Sequence, residues 1–240
     1  MSTMTTTSPT LDVSGTSPVP FGRLVGVEVR KMADTRAGRW LLISIAALTA
    51  LVLAIYLAVI VSNDLRVDFR DLMIAMNTPM GILLPVLGIM SVTSEWNQRT
   101  AVVTFTLEPS RSRLILAKFT STMLIAVVAV LIGLALSVAA NLLYGALSGA
   151  PVLWDIGAVD VVFYFLLHVI GMATGFAFGT LFLNTAVAIV IYFVYSLVLP
   201  GLFQLGAQLM DWFADIQPWI DFAAAQNPLI TGDIDGEQWA

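Results

Sequence analysis

The sequence predicts an all-α membrane protein that crosses the bilayer five times and begins with an amphipathic surface helix. Hydrophobic residues make up 58% of its 240 residues and charged residues only 11%, whereas charged residues form about a quarter of a soluble domain. Five uncharged or nearly uncharged runs are long enough to cross about 30 Å of hydrocarbon as helices. The sequence contains no cysteine, so disulfides and thiolate metal sites are excluded.

The N-terminal part divides into a polar tail and a helix. Residues 1–20 are rich in Ser, Thr and Pro and are predicted to form a disordered tail. Residues 21–39 are predicted to form an amphipathic helix on the membrane surface. Its apolar positions recur at helical spacing and are Phe21, Leu24, Val25, Val29 and Met32. Glu28 interrupts this apolar face.

The five predicted spans cover residues 40–61, 72–92, 119–144, 161–183 and 186–203. Trp40 opens the first span as an interfacial aromatic, and Arg36 and Arg39 before it can reach the headgroups. Only Asn184 and Thr185 separate the last two spans. The uncharged stretch around them is too long for one helix of about 20 residues, so we predict a tight hairpin.

Residues 204–240 are predicted to form an amphipathic and acidic segment on the outer side. Pro200 and Gly201 are expected to bend or end the fifth span before it. Pro218 is expected to break the following helix. The apolar face predicted for that helix consists of Leu205, Leu209, Trp212, Phe213, Ile216 and Ile220.

The basic residues predict the orientation. All eleven precede residue 119, and a cytoplasmic N-terminus leaves only Arg66 and Arg70 outside. Since cytoplasmic loops carry an excess of Lys and Arg, residues 94–118 are predicted to form a cytoplasmic loop between spans two and three.

This loop has features of a docking element. Glu95 and Arg99 stand four residues apart in the order that supports a short helix, and Pro109 is expected to end it. A short element with charges of both signs and apolar residues suits a groove on another protein. The alternative is a solvated connector whose charges only set the topology.

Two motifs carry a family resemblance. Glu95, Arg99-Thr100, Leu107-Glu108-Pro109-Ser110-Arg111 and Lys118, in this order before an apolar span, resemble the signature loop of type-2 ABC exporter permeases. Glu28-Val29-Arg30-Lys31, followed by Asp34-Thr35-Arg36 and Trp40, is similar to the N-terminal elbow helix of that family. We therefore name the helix of residues 21–39 the elbow helix.

The resemblance implies a permease subunit of an ATP-driven exporter in a bacterial cell (plasma or inner) membrane. Its partners would be a cytoplasmic ABC ATPase subunit and a second permease, either another copy of this chain or a related protein, with which it would form a dimer. No nucleic acid is expected as a partner. The residues implied in ATPase contact are Glu28, Lys31, Glu95, Arg99, Thr100, Glu108, Pro109, Arg111 and Arg113. The family usually has six spans with both termini inside, so this chain is expected to be either truncated before the sixth span or a five-span variant with its C-terminus outside.

The chain itself offers no site for nucleotide or catalysis. It contains no GxxxxGK[ST] motif, so ATP and Mg²⁺ are expected on the partner subunit and no cofactor on this chain. There is also no HExxH, GxSxG or cluster of histidines and carboxylates. We expect no enzymatic activity, no catalytic residue and no metal site.

A few residues within the spans are candidates for specific roles. Gly171, Gly175 and Gly179 recur every four residues and predict a strip for close helix packing. His168 is the one ionisable residue well inside a span and is therefore a functional candidate, the alternative being a histidine bonded to a neighbouring helix. His168 is also predicted to line the transport path, together with Met73, Met76, Asn77 and Met80 of the second span. For the methionines, the alternative is ordinary packing.

Two other functions fit the same sequence. One is a membrane anchor or regulatory subunit that binds a cytoplasmic partner and transports nothing. The other is a proton-coupled secondary transporter in which His168 couples proton and substrate movement. Nothing in the sequence selects a substrate.

Overall fold

The computed structural model describes residues 19–100, 104, 106, 110–227 and 229, and these residues form helices joined by short connections, with no strand among them. The helix predicted over residues 21–39 is interrupted at Thr35: its first part, Phe21–Asp34, is helix α1, for which the name elbow helix is kept from here on, and a new helix begins at Arg36. A π-helical turn over Val194–Val198 joins α6 to α7. The helices are α1 (Phe21–Asp34), α2 (Arg36–Ser62), α3 (Phe69–Asn97), α4 (Arg111–Ser148), α5 (Ala158–Phe182), α6 (Thr185–Phe193), α7 (Leu199–Leu209), α8 (Asp211–Ile220) and α9 (Phe222–Ala225).

Five helical segments are long and apolar enough to span a membrane: Arg36–Ser62, Phe69–Asn97, Arg111–Ser148, Ala158–Phe182 and Thr185–Leu209. This confirms the predicted class, a multi-pass α-helical membrane protein with a preceding amphipathic helix. The helices extend beyond the apolar runs. Helix α4 begins at Arg111, well before the predicted span start at residue 119, because backbone hydrogen bonding continues where the side chains turn polar.

The end of α3 differs from the prediction of a separate short helix around Glu95. Glu95 lies in the last turn of α3, which ends at Asn97. The Thr100 N–H donates to the Glu95 carbonyl at 2.9 Å, and Arg99 adopts φ 57°, the left-handed geometry that closes many helices. Arg99 therefore leaves the helix, and the expected pairing of Glu95 with Arg99 along one helix is wrong.

A tight turn joins the elbow helix to the first span. The Thr35 hydroxyl accepts a hydrogen bond from the Gly38 N–H at 3.1 Å and so caps α2. A Cβ added to Gly38 would lie 1.8 Å from the Met32 carbonyl oxygen. Only glycine fits this approach, so the elbow helix and α2 are held at a fixed angle.

Helix α3 is the central span. In its most apolar stretch 61% of the residues are buried, against 28% or less in each of the other four spans. Met80 and Leu84 in its middle pack against α4 and α5 through Val130 and Met172. Any displacement of α3 therefore affects its neighbours.

Helix α5 packs on α3 backbone to backbone. A Cβ added to Gly175 would lie 2.1 Å from the Pro85 carbonyl oxygen, and one added to Gly179 would lie 2.8 Å from the Ile89 carbonyl oxygen. From the other side, Gly88 of α3 faces the Met172 carbonyl oxygen. Gly171 is less restricted, since its nearest contact is the Pro85 ring at 3.5 Å. Small residues allow such close approach in membranes.

The C-terminal part folds back on the bundle. The fifth span passes through the π-helical turn and Pro200, in the first turn of α7, and ends at Leu209, beyond residue 203. Met210 divides the apolar face predicted over residues 205–220, and Pro218 lies inside α8, two residues before its end. The predicted N-terminal tail, apart from its last two residues, and the acidic residues 233–237 lie outside the described residues.

We predict that Gly175→Ala destabilises the protein by roughly 1–3 kcal/mol, the range for overpacked sites, because its methyl group would collide with the backbone of α3. Gly171→Ala, one turn away on the same helix, is the matched control and should change stability little. Thermal unfolding of the purified protein in detergent tests this. Equal melting temperatures for the two variants would contradict the packing described.

Candidate functional site: a buried cluster of four charges

The elbow helix, α3 and α4 meet at a cluster of two carboxylates and two ammonium groups. The Lys118 Nζ lies 2.6 Å from Glu28 Oε2 and 2.9 Å from Glu95 Oε1. The Lys31 Nζ lies 2.7 Å from Glu28 Oε1 and 2.8 Å from Glu95 Oε1. Each charge therefore contacts both residues of opposite sign, and the cluster is neutral as a whole.

Most of this cluster is shielded from solvent. Glu28 is 4% exposed and Lys118 7%, whereas the Lys31 side chain is 40% exposed. Glu28 lies on the buried face of the elbow helix between Val25 and Met32, so the residue that interrupts the apolar face points into the protein. Burial of an unpaired charge is costly, and the paired arrangement explains why the charged residue is accommodated there.

The cluster also offsets unfavourable local electrostatics. Glu95 lies in the last turn of α3, which carries no basic residue, and a carboxylate is disfavoured near the negative end of a helix. The two lysines compensate. Burial alone would lower the pKa of Lys31, but the hydrogen bonds and charges of Glu28 and Glu95 together raise it above the ordinary value. Lys31 thus stays protonated at neutral pH.

A second polar contact links the same end of α3 to the fifth span. The Thr93 and Thr185 hydroxyl oxygens lie 2.6 Å apart, and the Asn97 Nδ2 donates to Thr185 Oγ1 at 2.6 Å. Thr185 is the first residue of α6, just after Asn184, which caps that helix through its side chain. The end of α3 is therefore connected to the elbow helix, to α4 and to the fifth span.

The residues predicted for ATPase contact separate into two groups. Glu28, Lys31 and Glu95 form the cluster, together with Lys118, which was not assigned to this role. The signal for it was present: a charge inside an apolar face needs a partner of opposite sign. Of the others, Arg99, Thr100 and Arg111 are exposed, the Arg113 Nη2 donates to the Val19 carbonyl at 2.7 Å, and Glu108 and Pro109 lie outside the described residues.

The residues predicted to line a transport path also fall into two groups, one at a cavity and one in the packed core. Asn77, Met80 and His168 line a cavity between α3, α5, the fifth span and the residues around α9. Met73 and Met76 are 4% and 0% exposed and lie in the packed core. The Ser137 hydroxyl donates to the Met76 sulfur at 3.1 Å. The cavity is thus lined by α3, α5 and the fifth span, and also by residues around α9 that were not predicted to line a path.

No protein-family model, curated protein or solved structure matches this chain.

We predict that Lys118→Met destabilises the protein by about 3–5 kcal/mol, the cost of removing one partner from a buried charge pair, because Glu28 would keep only the half-exposed Lys31. Lys31→Met removes the same two contacts from a more exposed site and should cost clearly less. Thermal unfolding of both variants in detergent gives the comparison. If both variants match wild type, the cluster contributes no stability.

Proposed function

We propose that this chain is the membrane-spanning permease subunit of an ATP-driven ABC exporter and that residues 94–118 transmit force from a separate cytoplasmic ATPase subunit. The observation that supports this most is the charge cluster. Glu95 lies in the last turn of α3 and Lys118 in the second turn of α4, on either side of the connecting segment, and both are bound to the elbow helix. A load on this segment would therefore act on three helices together.

The contacts around the cluster define a route for the movement. A displacement of Glu95 would move α3, and one of Lys118 would move α4. The hydrogen bonds of α3 to Thr185 would pass the displacement on to the fifth span. The elbow helix leads into the first span through the tight turn at Gly38. Four of the five spans would thus be reached directly when an ATPase presses on the exposed residues Arg99 and Arg111. The remaining span, α5, would follow α3 through their glycine contact.

A second permease copy, or a related permease, would complete the pathway. The fifth span supports this, since only 11% of its most apolar stretch is buried within one chain. Its exposed side chains include Val190, Leu197 and Leu205. Lipid can cover such a surface, and so can the same face of another permease. ATP and Mg²⁺ would be bound by the ATPase subunits, as this chain has no P-loop motif.

The distribution of basic residues supports a cytoplasmic N-terminus in the plasma or inner membrane of a cell. In that orientation the charge cluster lies at the cytoplasmic end of α3. Arg70 lies at the other end of α3, where it pairs with Asp160 of α5 at 3.5 Å.

The orientation can be tested directly because the chain has no native cysteine. We predict that Thr100→Cys reacts with a membrane-impermeant maleimide only after the membrane is opened, whereas Asn63→Cys reacts in intact cells. Both residues are exposed. Asn63 precedes α3 and Thr100 follows it, so the two residues lie on opposite sides of the second span. The reverse labelling pattern would place the loop outside and rule out its contact with a cytoplasmic ATPase.

We predict that Arg99→Glu abolishes recovery of an ABC ATPase in a mild-detergent pull-down of the tagged chain, since it reverses an exposed charge on the proposed contact surface. Arg66→Glu is the matched control: it makes the same change at an exposed residue on the predicted outer side and should retain the ATPase. Mass spectrometry of the purified complexes identifies the partner.

Failure to recover any ATPase with folded wild-type chain would contradict the proposal and favour a membrane anchor or a secondary transporter. Recovery with wild type and with both variants would support an ATPase complex but exclude Arg99 from the contact. In that case the contact would lie elsewhere, and the same charge reversal at Arg111, the other exposed residue of the proposed surface, is the next test.

A further inference from the structure

Two buried acceptor atoms on residues of the cavity between α3, α5 and the fifth span have no hydrogen-bond partner among the described residues. They are Asn77 Oδ1 and His168 Nε2. His168 is 2% exposed, and both residues line the cavity between α3, α5 and the fifth span. Buried polar groups are nearly always bonded, so two unsatisfied acceptors on residues that line one cavity favour a ligand that donates hydrogen bonds.

The tautomer of His168 determines which chemistry can complete it. Its Nδ1 lies 2.8 Å from the Tyr164 carbonyl oxygen, which can only accept, so Nδ1 carries the proton. In the neutral ring Nε2 is then an acceptor, like the amide oxygen of Asn77. Both groups are therefore acceptors, and a ligand that bonds to them has to supply hydrogen-bond donors.

A carboxylate lies in the same cavity. Asp221 is 4% exposed and lines it. Its Oδ1 accepts from the N–H groups of Ala223 and Ala224, and its Oδ2 accepts from Gln217. About four acceptor positions exist on a carboxylate, so one remains. The described lining contains no Lys or Arg, and a negative charge in such surroundings favours a cation.

The rest of the lining is apolar and aromatic. Leu84, Leu167, Tyr195 and Phe222 are among the lining residues, and Phe222 directly follows Asp221 in the sequence. Aromatic faces attract ammonium groups. The cavity volume is about 170 Å³, slightly more than the engineered cavity of about 150 Å³ that holds benzene. One six-membered ring with a short polar arm fits this space.

We propose that this cavity is a binding site for a small lipophilic amine in its protonated form. An ammonium group has three donors, and three residues with acceptor atoms, Asn77, His168 and Asp221, line the cavity. The apolar body would lie against the leucine and aromatic side chains of the same lining. Binding needs no ATPase; only its interpretation as a transport substrate site depends on the proposed exporter function.

Binding is measured on the wild-type chain alone, in lipid nanodiscs at pH 7, by ¹⁹F NMR titration with three probes of equal ring size. These are 4-fluorobenzylamine, 4-fluorobenzyl alcohol and 4-fluorotoluene, and empty nanodiscs give the background from lipid partitioning. We predict that the amine binds at least about tenfold more tightly than the alcohol, the effect of roughly one charge-assisted hydrogen bond. The toluene should bind most weakly.

Two variants locate the site. Asn77→Leu should weaken amine binding roughly tenfold. Asp221→Asn should remove the preference for amine over alcohol while keeping the cap of α9, since asparagine also caps helices. Gln208→Leu is the matched control for the amide change, because Gln208 is exposed and does not line the cavity.

The inference is overturned if no probe gives a signal above empty nanodiscs, which would mean that water alone fills the cavity. It is also overturned if amine and alcohol bind equally to wild type. Should Asn77→Leu fail to fold, Asp221→Asn decides. Amine binding without any ATPase in the pull-down would support the site and contradict the exporter function, so the two failures are distinguishable.

Discussion

The close contact between α3 and α5 is the constraint on which the arrangement of the bundle depends. Lipid gives helices no hydrophobic reason to associate, so packing has to come from shape and polar contact. Gly175 and Gly179 supply the shape, because each places its Cα against a carbonyl of α3. This contact fixes the rotation of α3 about its axis, and with it the direction in which Asn77, Met80 and Glu95 point.

The charge cluster adds a second constraint at the end of the same helix. Glu95 follows the glycine contact by about two turns and is bound by lysines from two other helices. A helix held in its middle by backbone contact and at its end by ionic contact transmits displacement well. The polar contact of Thr93 and Asn97 with Thr185 carries the same displacement to the least buried span. The link between the end of α3 and the neighbouring helices therefore consists of four short contacts: two of Glu95 with lysines, and one each of Thr93 and Asn97 with Thr185.

Sequence reasoning predicted the five spans because hydrocarbon thickness sets the length of each apolar run. It could not predict that α4 begins at Arg111, since hydropathy reports only the part of a helix that lies in lipid. It also placed Glu95 in a short separate helix, because the favourable spacing to Arg99 is a local signal, whereas the real partners Lys31 and Lys118 depend on how helices pack. The cavity gives a second example. Asn77 and His168 could be found in the sequence as polar residues within spans, but Asp221 lines the same cavity only because the chain folds back after the fifth span.

The prolines of α3 connect the charge cluster to the cavity. Pro85 lacks the N–H that would bond the carbonyl of Gly81 in a regular helix, and both residues line the cavity. Pro79 likewise cannot bond the carbonyl of Ala75, four residues before it, so the stretch of residues 75–85 has fewer internal hydrogen bonds than the rest of α3. When the end of α3 at Glu95 is displaced, this weakened stretch is where the helix bends most easily. The stretch also carries Met80 and Leu84, which form part of the cavity wall, so bending there would change the shape of the cavity. Under the proposed function, a load applied to the segment between α3 and α4 would in this way reach the proposed amine site through one helix.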